Sequence, residues 1–479
     1  MTYFEVRDAI HKTIRFSDEE KRIIGHPYVQ RLRFIRQLGF VPLVYPSATH
    51  DRFSHSLGTM HVASLLAKQI FENEECSRLA RILKPREKEF LTRILRLAGL
   101  LHDIGHAPFS HSAEKVMPPV SELAIPASWW KVKPGMRLAL HEDYSALLIA
   151  GMAEGKDKLF SHDEAHIIAS LVHHKAIQPP QSWNKKFSGE INAGSIHTLM
   201  KYLISSDIDA DRMDYLLRDS HGAGVVYGHY DLPWLISNLG TAEQNGDYVM
   251  TISETGVHAL EHYLLARYNM YTSVYMHKTS KCFEYYFHRA LETREIDYTI
   301  PSDRDEFVAL RDSTLMEAFF RAYAKDPLSW SGRIVKRDPA RRIARIWAEE
   351  GEVSRVFTRI EKDLQKYNVG VTPFLCFSRS KLLDIGKSGD FSDTRVRTPT
   401  LFDNPLPMPI KVIRNQFGVS SLAPLADYSF ILRHYHQDIN VGDIYILPEQ
   451  YRDQEKTIRR ILRSYRILSP SEEILEGND

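Results

Sequence analysis

The sequence is poor in cysteine, with only three thiols in 479 residues: Cys76, Cys282 and Cys376. Because they are few and widely spaced, neither a disulfide framework nor a thiolate metal site is predicted, and a reducing cytoplasm is the expected location. Long apolar runs are also missing. Even residues 91–101 are interrupted by arginine, so no segment reaches the roughly 18 apolar residues of a membrane helix and no membrane partner is expected. The first residues show no signal-peptide pattern.

An excess of charge of one sign is absent as well. Lys and Arg number 62 against 61 Asp and Glu, so the formal charge of +1 predicts no polyanionic partner. The 43% hydrophobic and 26% charged fractions are typical of a folded globular protein and exclude a disordered or collagen-like chain. At roughly 150 residues per domain, the chain is too long for one simple core. The unusual feature is 22 histidines, which indicate that a metal or acid–base site should be sought.

Hydrophobic spacing predicts a mainly helical body. Apolar residues recur at helical spacing over 87–103, and Gly105 and Pro108 would end that helix. The alternating residues 248–253 predict one short strand within the body. The predicted helices cover residues 19–39, 56–71, 87–103, 141–152, 162–174, 195–208, 212–218 and 256–294.

The last third of the chain has a different character. Ser331-Gly332 and Asp338-Pro339 indicate a boundary, after which residues 340–367 are predicted to begin as a basic helix. The predicted tail strands cover 370–377, 410–414, 429–432 and 443–447, followed by a helix over 450–468. The predicted fold class is therefore mainly α, with a helical core over residues 1–338 and a smaller α+β region over 339–479 for oligomerisation or regulation.

One short stretch carries the strongest chemical signal. His102 and Asp103 stand together at the end of a very apolar helix, and His106 and His111 follow closely. An imidazole or carboxylate beside buried leucines must be paired, hydrogen-bonded or bound to a metal. For an isolated His-Asp pair, the alternative is a histidine-rich helix end whose imidazoles bind the last carbonyl groups.

Two other segments strengthen the metal interpretation. His55 lies in an apolar helix, and four aspartates occur between Asp207 and Asp214. By itself the aspartate cluster is equally consistent with a solvated acidic turn or a helix N-terminus. Imidazoles and carboxylates without thiolates suit Mn, Fe, Zn or Ni and, with water, Mg. A cation bound by such groups suits metal-assisted hydrolysis.

The order His55, His102-Asp103 and Asp211 resembles the H…HD…D pattern of the HD-domain phosphohydrolases. Five blocks of sequence resemble, in order, those of the deoxynucleoside triphosphate (dNTP) triphosphohydrolases, a group that includes the SAM- and HD-domain dNTPase and the bacterial dGTPase-like enzymes. The resemblance covers more than half of the chain and implies an HD-domain helical core. The five blocks are residues 30–39, 52–58, 102–111, 208–219 and 267–278.

The resemblance implies one divalent metal ion (Mn, Fe, Mg, Zn or Ni) held by His55, His102, Asp103 and Asp211. It also implies that four residues surround the α-phosphate, with His111 or His141 donating a proton to the leaving 5′-oxygen and Glu114 orienting His141. Histidine suits that role because its ordinary pKa is about 6.5. These predicted catalytic residues are His106, His111, Glu114 and His141.

A further set of residues would bind the substrate. The resemblance implies that Arg and Lys clamp the triphosphate, that Asp219 and Gln37 read the 3′-hydroxyl, and that Tyr275 packs under the ribose. Arg267 and Lys278 are equally consistent with surface charges on a long helix, and Tyr275 with a core aromatic residue. The predicted substrate-binding residues are Gln37, Arg52, Arg212, Tyr215, Asp219, Arg267, Tyr275 and Lys278. Tyr271 stands where close relatives carry histidine, so the preferred base is not predicted.

The resulting prediction is metal-dependent hydrolysis of a dNTP to a deoxynucleoside and inorganic triphosphate by a homodimer or homotetramer, with an allosteric nucleotide left open. The first alternative is an HD phosphohydrolase acting on another nucleotide, such as a monophosphate or an alarmone. The second is a non-catalytic nucleotide sensor or nucleic-acid-binding protein. For that second alternative, the arginine-rich residues 333–345 and 459–466 are the candidate nucleic-acid contacts.

Overall fold

The structure is a computed structural model. It describes residues 3–132, 134–155, 158–173, 176–189, 191–367, 369–380, 410–416, 419–429, 439–452 and 454–465. Helices dominate this part of the chain, and strands are concentrated in two small sheets and one hairpin. The mainly helical class is confirmed.

Fifteen α-helices form the body of the described chain. They are α1 (Asp18–Ile24), α2 (Pro27–Gln30), α3 (Arg52–Ala67), α4 (Arg78–Ile82), α5 (Pro85–Leu101), α6 (His141–Met152), α7 (His162–Val172), α8 (Ala193–Ile204), α9 (Ala210–Ala223), α10 (Leu232–Ser237), α11 (Val257–Met270), α12 (Lys278–Glu292), α13 (Arg304–Ala309), α14 (Asp312–Lys325) and α15 (Trp330–Val335).

Three helices form the centre of this body. α3 packs against both α5 and α9, and the faces they share are fully buried. Asp51 begins α3, because its carboxylate accepts the Ser54 backbone N–H over 2.8 Å. Asp209 begins α9 in the same way, through the Arg212 backbone N–H. The starts of these helices are therefore set by local side-chain caps.

Strands β1 (Phe4–Asp8) and β2 (Lys12–Phe16) form an antiparallel hairpin. Strands β3 (Leu239–Gln244) and β4 (Asp247–Ser253) join two strands from the tail in one sheet of order β3-β4-β7-β8. Thr251 of β4 pairs with Lys411 in parallel register. The tail elements are β5 (Arg341–Ile346), α16 (Glu350–Lys366), β6 (Phe374–Ser380), β7 (Lys411–Gln416), β8 (Val419–Pro424), β9 (Ile439–Ile446), α17 (Pro448–Arg452) and α18 (Glu455–Arg463).

The tail contains its own small core. β5, β9 and β6 form an antiparallel sheet with β9 in the centre, and α16 and α18 pack near it. Ile360 and Ile444 belong to this second cluster, whereas Val412 and Tyr445 belong to the large core of the body. An α+β character of the tail is therefore present in its described part. The predicted strand over 429–432 lies outside the described residues, save Ser429, and the boundary at residue 338 stays a prediction.

Three predicted elements are wrong in detail. The helix over 19–39 is divided, because Pro27 begins a separate short helix and a 3₁₀ turn, Arg31–Phe34, follows it. The helix over 256–294 is interrupted by a π-helical segment, Tyr271–Tyr275. The basic helix predicted from residue 340 begins as strand β5, because these residues pair with β9. No helix in the described ranges is both long and apolar enough to cross a membrane.

Candidate active site

The four predicted metal residues lie together at the junction of α3, α5 and α9. His55 Nε2 is 3.0 Å from Asp211 Oδ1 and 3.7 Å from Asp103 Oδ2. His102 Nε2 is 3.2 Å from Asp103 Oδ1 and 3.5 Å from Asp211 Oδ1. We call these four residues the His/Asp cluster. Their side chains come from positions as far apart as residues 55 and 211, so only the fold could bring them together.

The His/Asp cluster has the donor atoms that a cation needs. His55 Nε2 and His102 Nε2 are buried, and neither makes a hydrogen bond within the described part of the chain. Both nevertheless lie within 3.0–3.7 Å of carboxylate oxygens of Asp103 and Asp211. His55, His102 and Asp103 each offer one ligand atom, and these three atoms lie close enough together to hold one ion. The residues therefore fit a divalent metal.

The electrostatics of the cluster favour positive charge. Burial lowers the pKa of His55, but the carboxylates of Asp211 and Asp214 raise it to about 10. Burial likewise lowers the pKa of His102, but Asp103 and Asp211 raise it above its ordinary value. A pocket that holds protons on imidazoles so strongly also attracts a metal cation, which would displace those protons.

Both histidines of the cluster are oriented through their other nitrogen. His102 Nδ1 donates to the carbonyl oxygen of Gly99 over 2.8 Å, and His55 Nδ1 lies 2.7 Å from Asp214 Oδ2. A histidine that donates through Nδ1 presents the lone pair of Nε2, which is the atom facing the cluster. Backbone and carboxylate acceptors therefore prepare both rings for a metal.

A second group of predicted residues adjoins the cluster. His106 Nε2 is 3.2 Å from Asp103 Oδ1, and its ring stacks on the ring of His141 with centroids 4.0 Å apart. His141 Nδ1 lies 2.7 Å from Glu114 Oε1. We call His106 and His141 the histidine pair. The side chain of His111 lies outside the described part of the structure, so its predicted role stays a prediction.

The two rings of the histidine pair differ in protonation. Burial lowers the pKa of His106 well below its ordinary value, and the charges of Arg52 and His141 lower it further. Burial also lowers the pKa of His141, but Glu142 and Glu114 raise it to about 9. At neutral pH a neutral His106 therefore stacks on a protonated His141. Opposite shifts of this kind are typical of groups that share acid and base roles.

Gly105 connects the cluster with the histidine pair. The Gly105 backbone N–H donates to Ser145 Oγ over 3.0 Å, and that hydroxyl donates to the carbonyl oxygen of His102 over 2.7 Å. A Cβ atom at residue 105 would lie 2.1 Å from the His141 carbonyl oxygen. Only glycine allows the loop after α5 to approach the first turn of α6 so closely.

Arg52 lies beside the cluster. Its Nη1 donates to Asp103 Oδ2, and its Nε donates to Ser110 Oγ over 2.9 Å. Its Nη2 lies 3.5 Å from the carbonyl oxygen of Gln37. The Gln37 Oε1 atom is buried and makes no hydrogen bond among the described residues. The structure therefore brings Arg52 and the backbone of Gln37 next to the cluster, and their substrate-binding roles stay predictions.

Two other predicted phosphate-binding arginines are paired with carboxylates, Arg212 half-buried and Arg267 buried. Arg212 Nη1 lies 2.5 Å from Asp209 Oδ2 and also donates to the carbonyl oxygen of Ser206. Arg267 Nη1 donates to Asp207 Oδ1 over 3.0 Å. With only 2% of its surface exposed, Arg267 is not a surface charge, so that alternative is wrong.

Tyrosines line the side of the site next to His55. Tyr215 OH lies 3.4 Å from Tyr271 OH, and the rings of Tyr215 and Tyr275 are 6.1 Å apart. Tyr275 OH donates to Asp219 Oδ2 over 2.7 Å, while His50 Nε2 is 2.7 Å from Asp219 Oδ1. Tyr275, in the π-helical turn after α11, is therefore hydrogen-bonded to Asp219 and is not only a core aromatic residue.

Lys278 is placed elsewhere. It lines a cavity of about 530 Å³ between the body and the tail, and the lining of this cavity includes none of the four residues of the His/Asp cluster. We call this space the basic cavity, because four cationic and two acidic side chains line it. These are Lys278, Arg341, Arg342 and Arg452, together with Asp338 and Glu455.

Several residues that shape the site were missed from the sequence. Asp214 was counted among the aspartates but given no role, although it lies one helical turn from Asp211. Arg31 donates to the His106 carbonyl oxygen over 2.8 Å. Asp312 accepts the Phe109 backbone N–H over 3.1 Å, where Phe109 has a φ of 57°. Only the spacing of Asp214 and Asp211 offered a sequence signal, because the other contacts join distant segments.

Comparison with known proteins adds the family context. Residues 52–219 match the HD domain, and residues 231–393 match the HD associated region. An uncharacterized protein from Methanocaldococcus jannaschii is 33% identical over 66% of this chain and 57% of its own length. A deoxynucleoside triphosphate triphosphohydrolase SAMHD1 homolog from Dictyostelium discoideum is 28% identical over 69% of this chain and 57% of its own length. The chain thus spans about 57% of the length of these relatives.

A solved structure supports the fold. A hypothetical protein from Aquifex aeolicus superimposes with a TM-score of 0.67 and 22% sequence identity. The match covers 96% of this chain and 100% of that one. At this level of identity the similarity concerns the fold alone. The same overall arrangement of body and tail therefore occurs in another protein.

Proposed function

We propose, from the premise that this chain is an HD-domain protein that resembles the dNTP triphosphohydrolases, that it hydrolyses dNTPs to deoxynucleoside and inorganic triphosphate. The observation that carries the proposal is the His/Asp cluster, which meets the histidine pair at Asp103. One group can hold a divalent cation, and the other can deliver a proton. Their adjacency suits hydrolysis of a phosphate ester.

His55, His102, Asp103 and Asp211 would hold the metal. When bound, a divalent cation would polarise the α-phosphate and lower the pKa of a bound water. The four ligands do not select among Mn, Fe, Mg, Zn and Ni. The chain's own groups would complete the charge balance. Arg52, which is already paired with Asp103, lies where a phosphoryl oxygen would need a positive neighbour.

The remaining cations would bind the polyphosphate. Arg212 and Arg267 are paired with Asp209 and Asp207, which keeps both guanidinium groups oriented. A triphosphate of about four negative charges would compete with these carboxylates for the guanidinium donors. Tyr215 would add a hydrogen bond to a phosphate oxygen.

His141 would act as the general acid. Attack of water on the α-phosphorus breaks the bond to the 5′-oxygen, and the leaving alkoxide needs a proton. A protonated His141, held by Glu114 over 2.7 Å, can supply that proton at neutral pH. His106 would remain neutral and hydrogen-bond the phosphate. The products are then a neutral deoxynucleoside and triphosphate.

The sugar would be read by the Tyr275–Asp219 pair. Asp219 and Gln37 would bind the 3′-hydroxyl, and the Tyr275 ring would pack under the ribose and exclude a 2′-hydroxyl. Replacing Tyr275 with alanine should therefore reduce the preference for dNTPs over ribonucleotides. An HD phosphohydrolase for a monophosphate or an alarmone would not respond in this way.

The basic cavity is the place we propose for an activating nucleotide. Its lining has an excess of two positive charges, and it joins α12 of the body to β5 and α17 of the tail. Lys278 would then bind the activator rather than the substrate triphosphate. Assembly into dimers or tetramers and a cytoplasmic location stay predictions.

One experiment tests the central proposal. The purified protein is incubated with each dNTP and with Mn²⁺ or Mg²⁺, and the phosphate product is identified by ion chromatography. We expect inorganic triphosphate, whereas pyrophosphate or orthophosphate would show that a different bond breaks. Reactions with and without added nucleotides cover the case in which an activator is needed.

Two variants control this experiment. Asp211 has the most exposed side chain of the cluster, at 30%, so Asp211→Asn should abolish the product with little effect on folding. Asp305→Asn, at an 83% exposed carboxylate, should leave the rate unchanged. If no dNTP yields triphosphate under any condition, the alternatives stand: another nucleotide substrate, a nucleotide sensor or a nucleic-acid-binding protein.

A further inference from the structure

The N-terminal hairpin is linked to the His/Asp cluster through Asp214, which contacts both His11 and His55. Its turn residue His11 is buried, with 4% of its side chain exposed, and His11 Nε2 lies 2.7 Å from Asp214 Oδ1. The other oxygen of the same carboxylate, Oδ2, lies 2.7 Å from His55 Nδ1. A single carboxylate therefore connects the hairpin with a residue of the cluster.

Asp214 accepts four hydrogen bonds. Besides the two histidines, Arg218 Nε donates to Oδ2 over 2.8 Å and Arg218 Nη2 donates to Oδ1 over 2.9 Å. Because Arg218 donates to both oxygens of Asp214, this side chain acts as an acceptor toward His55, so His55 keeps a proton on Nδ1 and a metal would bind through its Nε2.

The hairpin turn is built to present His11. Asp8 accepts the backbone N–H groups of Ile10 and His11 over 2.9 and 2.8 Å, and Arg218 Nη1 donates to Asp8 over 2.9 Å. Helix α3 leaves room for the same hydrogen bonds, because it carries a glycine, Gly58, where it faces Asp214. A Cβ atom at Gly58 would lie 1.9 Å from Asp214 Oδ1, so a larger residue would displace the carboxylate.

We infer that His11 is a positioning residue, which acts through Asp214 to hold His55 in the tautomer and orientation that bind the metal. This inference rests on the metal site of the proposed function. Acceptors behind a ligating histidine typically change metal affinity 10–100-fold when they are removed. Here the effect would originate in the first strands of the chain, more than 40 residues before His55.

The test measures metal binding without substrate. The full chain is stripped of metal with a chelator and titrated with Mn²⁺, and free Mn²⁺ is followed by electron paramagnetic resonance. His11→Leu should weaken Mn²⁺ binding about tenfold or more. His11→Gln, whose amide N–H can replace the Nε2–H donor, should restore affinity to within about threefold of the wild type.

Two control variants accompany the titration. His61 packs against His11 with ring centroids 4.9 Å apart, so His61→Gln tests whether any change beside the turn weakens binding. It should leave Mn²⁺ affinity unchanged. His102→Ala removes a proposed ligand and should abolish stoichiometric binding. Melting temperatures of the metal-free variants show whether each one is folded.

The outcomes separate this inference from the proposed metal site. If the wild-type chain binds no Mn²⁺, the metal site itself is wrong. If the wild type binds and His102→Ala does not, but His11→Leu binds normally, the site stands and the positioning role is overturned. Weak binding by both His11→Leu and His11→Gln, with unchanged melting temperatures, would also overturn it, because rescue by the donor is the distinguishing result.

Discussion

The His/Asp cluster and the histidine pair hold their imidazoles in different ways. In the cluster, His55 and His102 each direct Nδ1 to a buried acceptor, so one nitrogen of each ring is committed to the protein. In the pair, His106 and His141 stack on each other at 4.0 Å, and His141 Nδ1 lies 2.7 Å from Glu114 Oε1. The first arrangement defines a tautomer, whereas the second separates two protonation states.

This difference indicates a division of labour between neighbouring groups. A metal ligand must keep a neutral nitrogen aimed at one point, and a buried second partner achieves that. A proton donor must hold a proton near neutral pH and release it in the reaction, which the raised pKa of His141 provides. Asp103 touches both His102 and His106 and is therefore the residue through which the two groups meet.

The largest expected effect on activity comes from removing the metal ion from the His/Asp cluster. Removal of metal with a chelator should lower dNTP hydrolysis roughly a thousandfold or more, because charge stabilisation by the cation is worth several kcal/mol. Triphosphate release is the measurement, and adding Mn²⁺ back should restore it. Full activity in protein shown to be metal-free would contradict the role given to the cluster.

Removing one member of the histidine pair should give a smaller loss of activity than removing the metal, and it should leave metal binding intact. His141→Gln removes the proposed acid and should lower kcat roughly 100- to 10,000-fold. Because His141 is outside the cluster, Mn²⁺ affinity should stay near that of the wild type. Loss of metal binding together with activity would mean that the pair and the cluster are not separate in function.

The pH dependence sharpens the comparison further. In the proposed mechanism His141 donates a proton, so kcat/KM should be maintained below its pKa and fall as the pH rises through about 9. Glu114→Gln removes a carboxylate that raises this pKa, so the fall should move to lower pH. A pH–rate profile measured on both proteins checks the direction. An unchanged alkaline limb in Glu114→Gln would exclude His141 as the titrating acid.

Part of this site could be predicted because its signals are local. His102 and Asp103 stand at the end of an apolar helix, where burying polar side chains is costly unless they have partners. This conflict can be recognised from the sequence alone. The aspartates between Asp207 and Asp214 also stood out. Which of them faces the cluster was not visible, because Asp211 and Asp214 differ only in the partner that each meets in the fold.

Contacts between distant segments could not be predicted. His11 reaches Asp214 across 203 positions, and nothing around His11 distinguishes it from other surface turns. The strand Arg341–Ile346 was predicted as helix, because its pairing partner Ile439–Ile446 lies about a hundred residues away. Long-range pairing overrides local preference in such segments, whereas the helix His141–Met152 was predicted with its observed ends.

The smallest expected effect concerns the glycine that joins the cluster to the histidine pair. A Cβ atom at residue 105 would meet the His141 carbonyl oxygen at 2.1 Å and the Ser145 backbone nitrogen at 2.3 Å. Neither is the flexible end of a side chain, so Gly105→Ala must move α6 away from the loop after α5. We expect a destabilisation of about 1–3 kcal/mol, seen as a lower melting temperature.

Gly135→Ala is the matched control, because apart from its chain neighbours no described residue has an atom within 4 Å of a Cβ atom there. It should leave the melting temperature nearly unchanged. The informative result is the comparison of hydrolytic activity with Mn²⁺ affinity in Gly105→Ala protein that remains folded. Since the shift separates His141 from Asp103 but leaves His55 on α3 and His102 at the end of α5, activity should fall while Mn²⁺ affinity is largely kept. Equal losses of both would mean that the position of α6 supports the cluster as much as the pair.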